Sequence, residues 1–228
     1  MLVLCGGWML AQPAYAQFSG QAAYEIGSAT TDAGDAGGTA GLAYGVGAGA
    51  TYSVVGGNGI GLVVGADVLL RAFSVSLPGT VERSAGAFDQ SDLVIDEIVA
   101  VRWRRILAGL YLEQRRINRG TVLGTIGLPA SAIGAVAEIP IGSADRTAVR
   151  VSFAQFQRGH LRLEGSAVEP AIDSGRSIRV SARHYLSSRW GLRGEYTDTE
   201  VLLEDVAPTF TFFDHRQRMA TVGALLSF

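Results

Sequence analysis

Ten stretches of the chain alternate apolar with small, polar or charged residues at a period of two, and the connections between them alternate long and short. Period two puts successive side chains on opposite faces of a strand, so each stretch has one apolar face and one of glycine, polar residues or charge. The stretches are Phe18–Gly27, Thr39–Tyr52, Ile60 to about Val75, Leu93–Trp103, Ala108–Ile117, Ala132–Ile141, Arg146–Phe156, Ser177–Leu186, Trp190–Glu200 and a closing strand after Phe213. The third is typical: Leu62, Val64, Ala66, Val68 and Leu70 share one face, Asp67 and Arg71 the other. A soluble β-sandwich or lipocalin-like barrel needs polar outer faces. Apolar-out with charged-in is instead the polarity of an all-β, transmembrane, antiparallel up-and-down β-barrel, and short turns on one side with longer loops on the other fit it.

The second stretch sets Gly41, Gly45, Gly47 and Gly49 on its inner face, leaving room for larger lumen side chains opposite. Two places resist the pattern. Asp96 and Glu97 are adjacent, so one must face outward unless the strand bulges there; a bulge, or Glu97 near the outer headgroups, is expected. Pro140 cannot donate to a ladder, which makes the sixth stretch the weakest. Residues 118–130 and 157–175 are read as outer loops.

With an even strand count and both ends on the short-turn side, Phe18, Tyr52, Trp103, Trp190 and Phe228 all fall at the same end of their strands with outward parity. They form an aromatic girdle at one membrane boundary. The inward set contains Arg71, Arg102, Arg115, Arg150, Arg179, Arg183 and Arg193 against Glu25, Asp67, Asp96, Glu113, Glu138 and Glu195. Signs so nearly balanced in a narrow lumen point to a paired, salt-bridged plug. A selective pore would carry a ring of one sign.

Composition narrows the class further. The 30 glycines among 228 residues argue against a helical bundle, and 48% hydrophobic content argues against disorder. A net charge of -2 gives no footprint for nucleic acid. Residues 1–16 read as a secretory signal, an apolar run ending in a small-x-small site at Ala14-Tyr15-Ala16, which makes 17–228 the barrel domain. The single cysteine, Cys5, would leave with it.

Two motifs carry a resemblance. The chain ends TVGALLSF, and Thr221, Gly223, Leu226 and Phe228 resemble the C-terminal insertion signal of bacterial outer-membrane β-barrels. From Arg183 to Tyr196 it reads RHYLSSRWGLRGEY, which resembles the last strands of opacity-type outer-membrane proteins. That family commonly has eight strands, so eight stands as the alternative to the ten read here. The resemblance implies an integral surface protein of a Gram-negative outer membrane, with outer-membrane lipid, lipopolysaccharide and the barrel-assembly machinery as partners, and no particular activity.

Little in the sequence carries chemistry. His160 falls in an outer loop, His184 near the girdle, and His215 follows Asp214 where the closing strand begins, close to Asp198 and Glu200. Ten-stranded omptin proteases use aspartates with an Asp-His pair at that rim, but Asp214 and His215 are adjacent and point to opposite faces. No metal-ligand spacing and no phosphate loop occurs, so no catalytic residue, metal or cofactor is expected. The outer loops carry acidic residues (Asp32, Asp35, Glu82, Asp89, Glu164, Glu169, Asp173, Glu204, Asp205), read as a hydrated surface. The reading is a monomeric, ten-stranded outer-membrane barrel with a charge-plugged lumen and a surface or structural role. A narrow porin and an outer-rim hydrolase are the alternatives.

Overall fold

The computed structural model describes residues 15–32, 38–55, 59–73, 90–121, 124–142, 146–163, 169, 171–204 and 215–228. They form an antiparallel barrel of β1 (Tyr15–Asp32), β2 (Gly38–Val55), β3 (Ile60–Phe73), β4 (Gln90–Trp103), β5 (Ile106–Thr121), β6 (Gly124–Ile141), β7 (Thr147–Gly159), β9 (Ile172–Tyr185), β10 (Trp190–Leu203) and β11 (His215–Ser227). A two-residue strand, β8 (Arg162–Leu163), pairs with Ile126 and Gly127 of β6 outside the ring. Each strand of the ring pairs with its sequence neighbours, and β1 with β11 closes it, Gln21 facing Ser227 and Asp32 facing Arg216. The count is therefore ten, not eight.

Short connections lie at one end, as their residues dictate. Arg104 and Arg105 turn β4 into β5, with Arg104 at φ 54. Gly142 has φ 80 after β6, and between β9 and β10 the Ser187 hydroxyl accepts the backbone N–H of Trp190 at 3.0 Å. At the other end the strands run past the expected limits. Residues 118–121 and 124–130, read as loop, continue the β5–β6 ladder, Thr121 facing Gly124; much of 157–175 likewise belongs to β7, β8 and β9. Ladder hydrogen bonds need no apolar outer face, so these hairpins extend beyond the apolar belt, with Leu128 and Leu161 buried on the inside.

The expected bulge at Asp96–Glu97 is absent. Pairing runs without a shift from Ile60–Trp103 to Phe73–Gln90 and on to β5. Glu97 faces outward, exposed between Ala66 and Leu112, and it lies six residues along β4 from Trp103, roughly 20 Å along the strand. That is well inside the apolar belt and not at its outer edge. The ladder explains the choice, because a one-residue slip would turn Asp92 outward or Ile98, Ala100 and Arg102 off the lumen face. The one shift beside this wall is in β7, where Ser131 faces Arg158 and Ala132 faces Phe156, leaving Gln157 extra. Pro140 lies two residues beyond the last β5 partner of β6, where Leu107 faces Glu138, so no bond to β5 is lost.

The outer surface is apolar. Leu62, Val64, Val68, Leu70, Leu110, Val151, Val180 and Leu192 are all exposed there. At the turn end Phe18 faces Tyr52 across β1–β2, and Trp103, Trp190 and Phe228 are exposed at the same level, with the Arg104 guanidinium 5.2 Å from the Trp103 ring centre. Phe228 closes the seam, exchanging backbone hydrogen bonds with Gly20 (2.8 and 3.0 Å) and laying its ring where a Gly20 side chain would be. Leu226 lies between Ala22 and Trp190 in the same seam, and Gly223 passes so close to the Tyr24 carbonyl that a Cβ would stand 2.1 Å from it.

Candidate functional site

Charge inside the barrel is arranged in tiers set by strand register. Beginning at the loop end, inward residues are apolar or uncharged: Phe73 two residues beyond Arg71, Ile117 two beyond Arg115, and Val201 two beyond Thr199, joined by Leu128, Phe156 and Leu161. Together with buried Gln90 and Gln217, these side chains lie over the charged interior.

Below them lies a central tier of four arginines and five carboxylates. Arg71 bonds Glu195 and lies 3.3 Å from Glu25, while Arg193 bonds Glu195 and lies 3.3 Å from Glu25, so two arginines and two glutamates close a ring between β1, β3 and β10. Arg179 links that ring to the opposite wall, bonding Asp96 and lying 3.5 Å from Glu195 and 3.6 Å from Glu113. Arg115 continues the chain to Glu113 at 3.2 Å and Asp92 at 3.5 Å. Except for Arg193, these side chains are at most 8% exposed.

Neutral donors take up remaining oxygen valences. Thr221 donates to Glu25 (3.2 Å), Ser177 to Glu113 (3.0 Å), and the Tyr111 hydroxyl lies 2.6 Å from Asp96 and 3.0 Å from Glu113. Arg71 and Asp67 find their room over glycines. A Cβ on Gly45 would sit 3.3 Å from Arg71 Cγ, and one on Gly49 would overlap the Asp67 carboxylate.

The third tier faces the turn end and is wetter. Arg150 donates to Glu138 at 2.8 Å and lies 3.6 Å from Asp67; Arg183 donates to Glu138 at 2.5 Å. Gln21 donates to Asp67 at 2.8 Å. Arg150, Arg183 and Asp67 are 22 to 30% exposed, and Arg102 lines the same space with no described carboxylate in ion-pair range. The space is a cavity of about 110 Å³ between Ser19, Thr51, Arg102, Glu138, Arg150 and Arg183.

All thirteen charged residues assigned to the lumen from the sequence thus have inward parity. Among the described residues twelve are drawn into ion pairs with one another, and Arg102 is not. Thr197 was read as inward on its strand, whereas Asp92, Tyr111, Ser177 and Thr199 were missed. Asp92 fell one residue outside the expected fourth strand, yet it shares parity with Asp96, and that was the available signal. Thr221, assigned to the terminal motif, is also a lumen donor.

At the loop-end rim, Asp198 accepts two hydrogen bonds from Arg216 (2.9 and 3.2 Å) and Glu200 lies 3.1 Å from Arg176, all on the outer face. Asp214 and the 209–213 run lie outside the described residues, as do Asp35, Glu82, Asp89, Glu164, Asp205 and most of the expected signal segment (1–14). His160 accepts from Arg162 at 2.8 Å and lies 3.4 Å from Glu169; His184 pairs with Thr147 at 2.8 Å. Among the described residues no group of three His, Cys, Asp or Glu side chains is placed to hold a metal ion.

No protein-family model matches the chain, and no curated protein matches it. Among solved structures it is similar to Neisserial surface protein A (NspA), at 13% identity and a TM-score of 0.42 over 94% of this chain and 99% of that one. It is also similar to the outer membrane protease OmpT from Escherichia coli, at 9% identity and a TM-score of 0.43 over 92% and 96%. An anion-selective porin from Comamonas acidovorans matches at 11% identity and a TM-score of 0.37 over 95% and 100%.

Proposed function

We propose that the protein is an integral barrel of a Gram-negative outer membrane, exported by a cleaved signal peptide and monomeric, whose lumen is closed by its arginine–carboxylate network. Its role is then at the surface, structural or in contact with other surface components, and not catalytic. The belt of exposed apolar side chains with aromatics at one edge supports the membrane seat. The central tier carries the closed-lumen reading: nine ionic side chains from β1, β3, β4, β5, β9 and β10, eight of them almost wholly shielded, occupy the bore. An ion crossing it would have to displace paired charges in a low-dielectric interior.

The test is single-channel recording of the refolded chain in a planar bilayer, after heat-modifiable gel mobility has established folding. Silence is expected. Steady, discrete steps would overturn the closed lumen and favour the narrow porin, whose supporting feature is the turn-end cavity with three arginines against two carboxylates. In that case neutralising Arg150 or Arg183 changes anion preference.

A further inference from the structure

Six outward-facing arginines with described side chains lie at the loop end, and their partners divide them. Arg176 has Glu200 at 3.1 Å, Arg216 and Arg218 share Asp198 at 2.9 and 3.9 Å, and Arg162 has Glu169 at 3.8 Å. Arg116 and Arg158 are exposed, and no described carboxylate is within ion-pair range of either. Arg116 has one hydrogen bond, to Asn118 on its own strand at 3.2 Å.

These two arginines flank one groove of about 480 Å³ in the outer wall of β4–β7. Its shape follows from the sequence. Between β5, which carries Arg116, and β7, which carries Arg158, β6 presents only the small side chains of Ser131 and Pro129 outward. The β7 bulge beside Ser131 brings Arg158 into the Gln114–Ser131 row. The two arginines are thus rooted two strands apart, roughly 10 Å, a span that two guanidinium arms close around a tetrahedral anion.

Height selects the ligand. Arg116 is ten residues up β5 from Ile106 at the turn end, roughly 33 Å along a strand and about 25 Å of height at a tilt near 40°. That is the far edge of the apolar belt, where headgroups begin. Leu93 and Ile95 line the β4 side of the groove, and beneath it lie outward Leu112, Ile133 and Phe153, with Glu97 facing Leu112 and Gln155 facing Ile133 as the polar members of that wall.

We infer that Arg116 and Arg158 hold a phosphate of a phosphorylated lipid headgroup in the outer leaflet, with acyl chains along the apolar wall below. Charge-assisted, bidentate bonds from two guanidinium groups supply the affinity, and the Gln114 amide and Ser131 hydroxyl meet neighbouring headgroup oxygens. This rests on the membrane seat proposed above; the lumen plays no part in it.

The experiment uses the full chain folded in detergent micelles, with lipid retention read by native mass spectrometry. Probes are a bis-phosphorylated glucosamine-disaccharide lipid, its dephosphorylated form, phosphatidylcholine and inorganic phosphate. One phosphorylated glycolipid is expected to stay bound. R116Q/R158Q should weaken retention at least tenfold, R158K several-fold, and R216Q on the opposite wall not at all. Equal retention by R116Q/R158Q, by the dephosphorylated lipid or by phosphatidylcholine overturns the inference, as does displacement by equimolar inorganic phosphate, which marks a site for free anions. Failure of the wild-type chain to insert into phosphatidylcholine vesicles is a separate result, and it sinks the membrane seat.

Discussion

The central tier and the turn-end tier of the lumen are made of the same chemistry, arginine against carboxylate, but they differ in access to water. Arg71, Arg115 and Arg179 have side chains at most 7% exposed, whereas Arg150 and Arg183 are 22 and 30% exposed. The central tier has one carboxylate in excess and the lower tier one arginine in excess, so each leans on the other and Arg193 stands between them. A buried ion left alone cannot recruit solvent, whereas a half-exposed one can. An equal count of ion pairs therefore means unequal dependence on each partner.

Substitutions test that difference, beginning where the largest effect is expected. R179M leaves Asp96, Glu113 and Glu195 short of a shared cation and should cost on the order of 3–5 kcal/mol in urea unfolding of the barrel in vesicles. E97L removes the carboxylate from the apolar belt and should raise stability by on the order of 1–2 kcal/mol in the same assay. E138Q removes the charge of a buried carboxylate but leaves Arg150 and Arg183, 22 and 30% exposed, within reach of water, and should cost on the order of 1–2 kcal/mol. R216A, on the outer rim, should leave the unfolding midpoint where it was. Equal losses for R179M and E138Q would erase the distinction between the tiers. A destabilising E97L would mean that Glu97 has a partner outside this chain.

The sequence was most legible where water and hydrocarbon are separated by a single residue. Outward Leu62, Val64 and Val68 alternate with inward Val63, Gly65 and Asp67, and the lumen polarity could be read from such stretches before any contact was known. Legibility faded where that contrast disappears. The Asn118–Thr121 arm has no apolar side chain, and in the Gly124–Ala130 arm Ile126, Leu128 and Ala130 alternate with Thr125, Gly127 and Pro129, a short period that the proline and the glycines gave the look of a loop. Asp96 and Glu97 show a different limit: local pattern cannot decide between a bulge and an exposed charge, because the choice is made by the unbroken register of β3 and β5 on either side. The groove of Arg116 and Arg158 was likewise invisible, being assembled from four strands and marked out by two exposed arginines with no described carboxylate in ion-pair range.

The seam between β1 and β11 has a consequence for how the barrel forms. Every other junction in the ring joins strands adjacent in sequence, apart from the interposed two-residue β8, and can zip as a local hairpin. Closure alone joins Gln21 to Ser227 and Asp32 to Arg216, roughly two hundred residues apart along the chain, so the largest single loop-closure cost of the topology falls on one step. An open sheet with two unsatisfied edges should then be the species that accumulates before folding completes. Because Gly20 and Phe228 already touch, circular permutation through a short linker, with new ends at the Ser187–Arg189 turn, would make that junction a hairpin and move the slow step to β9–β10.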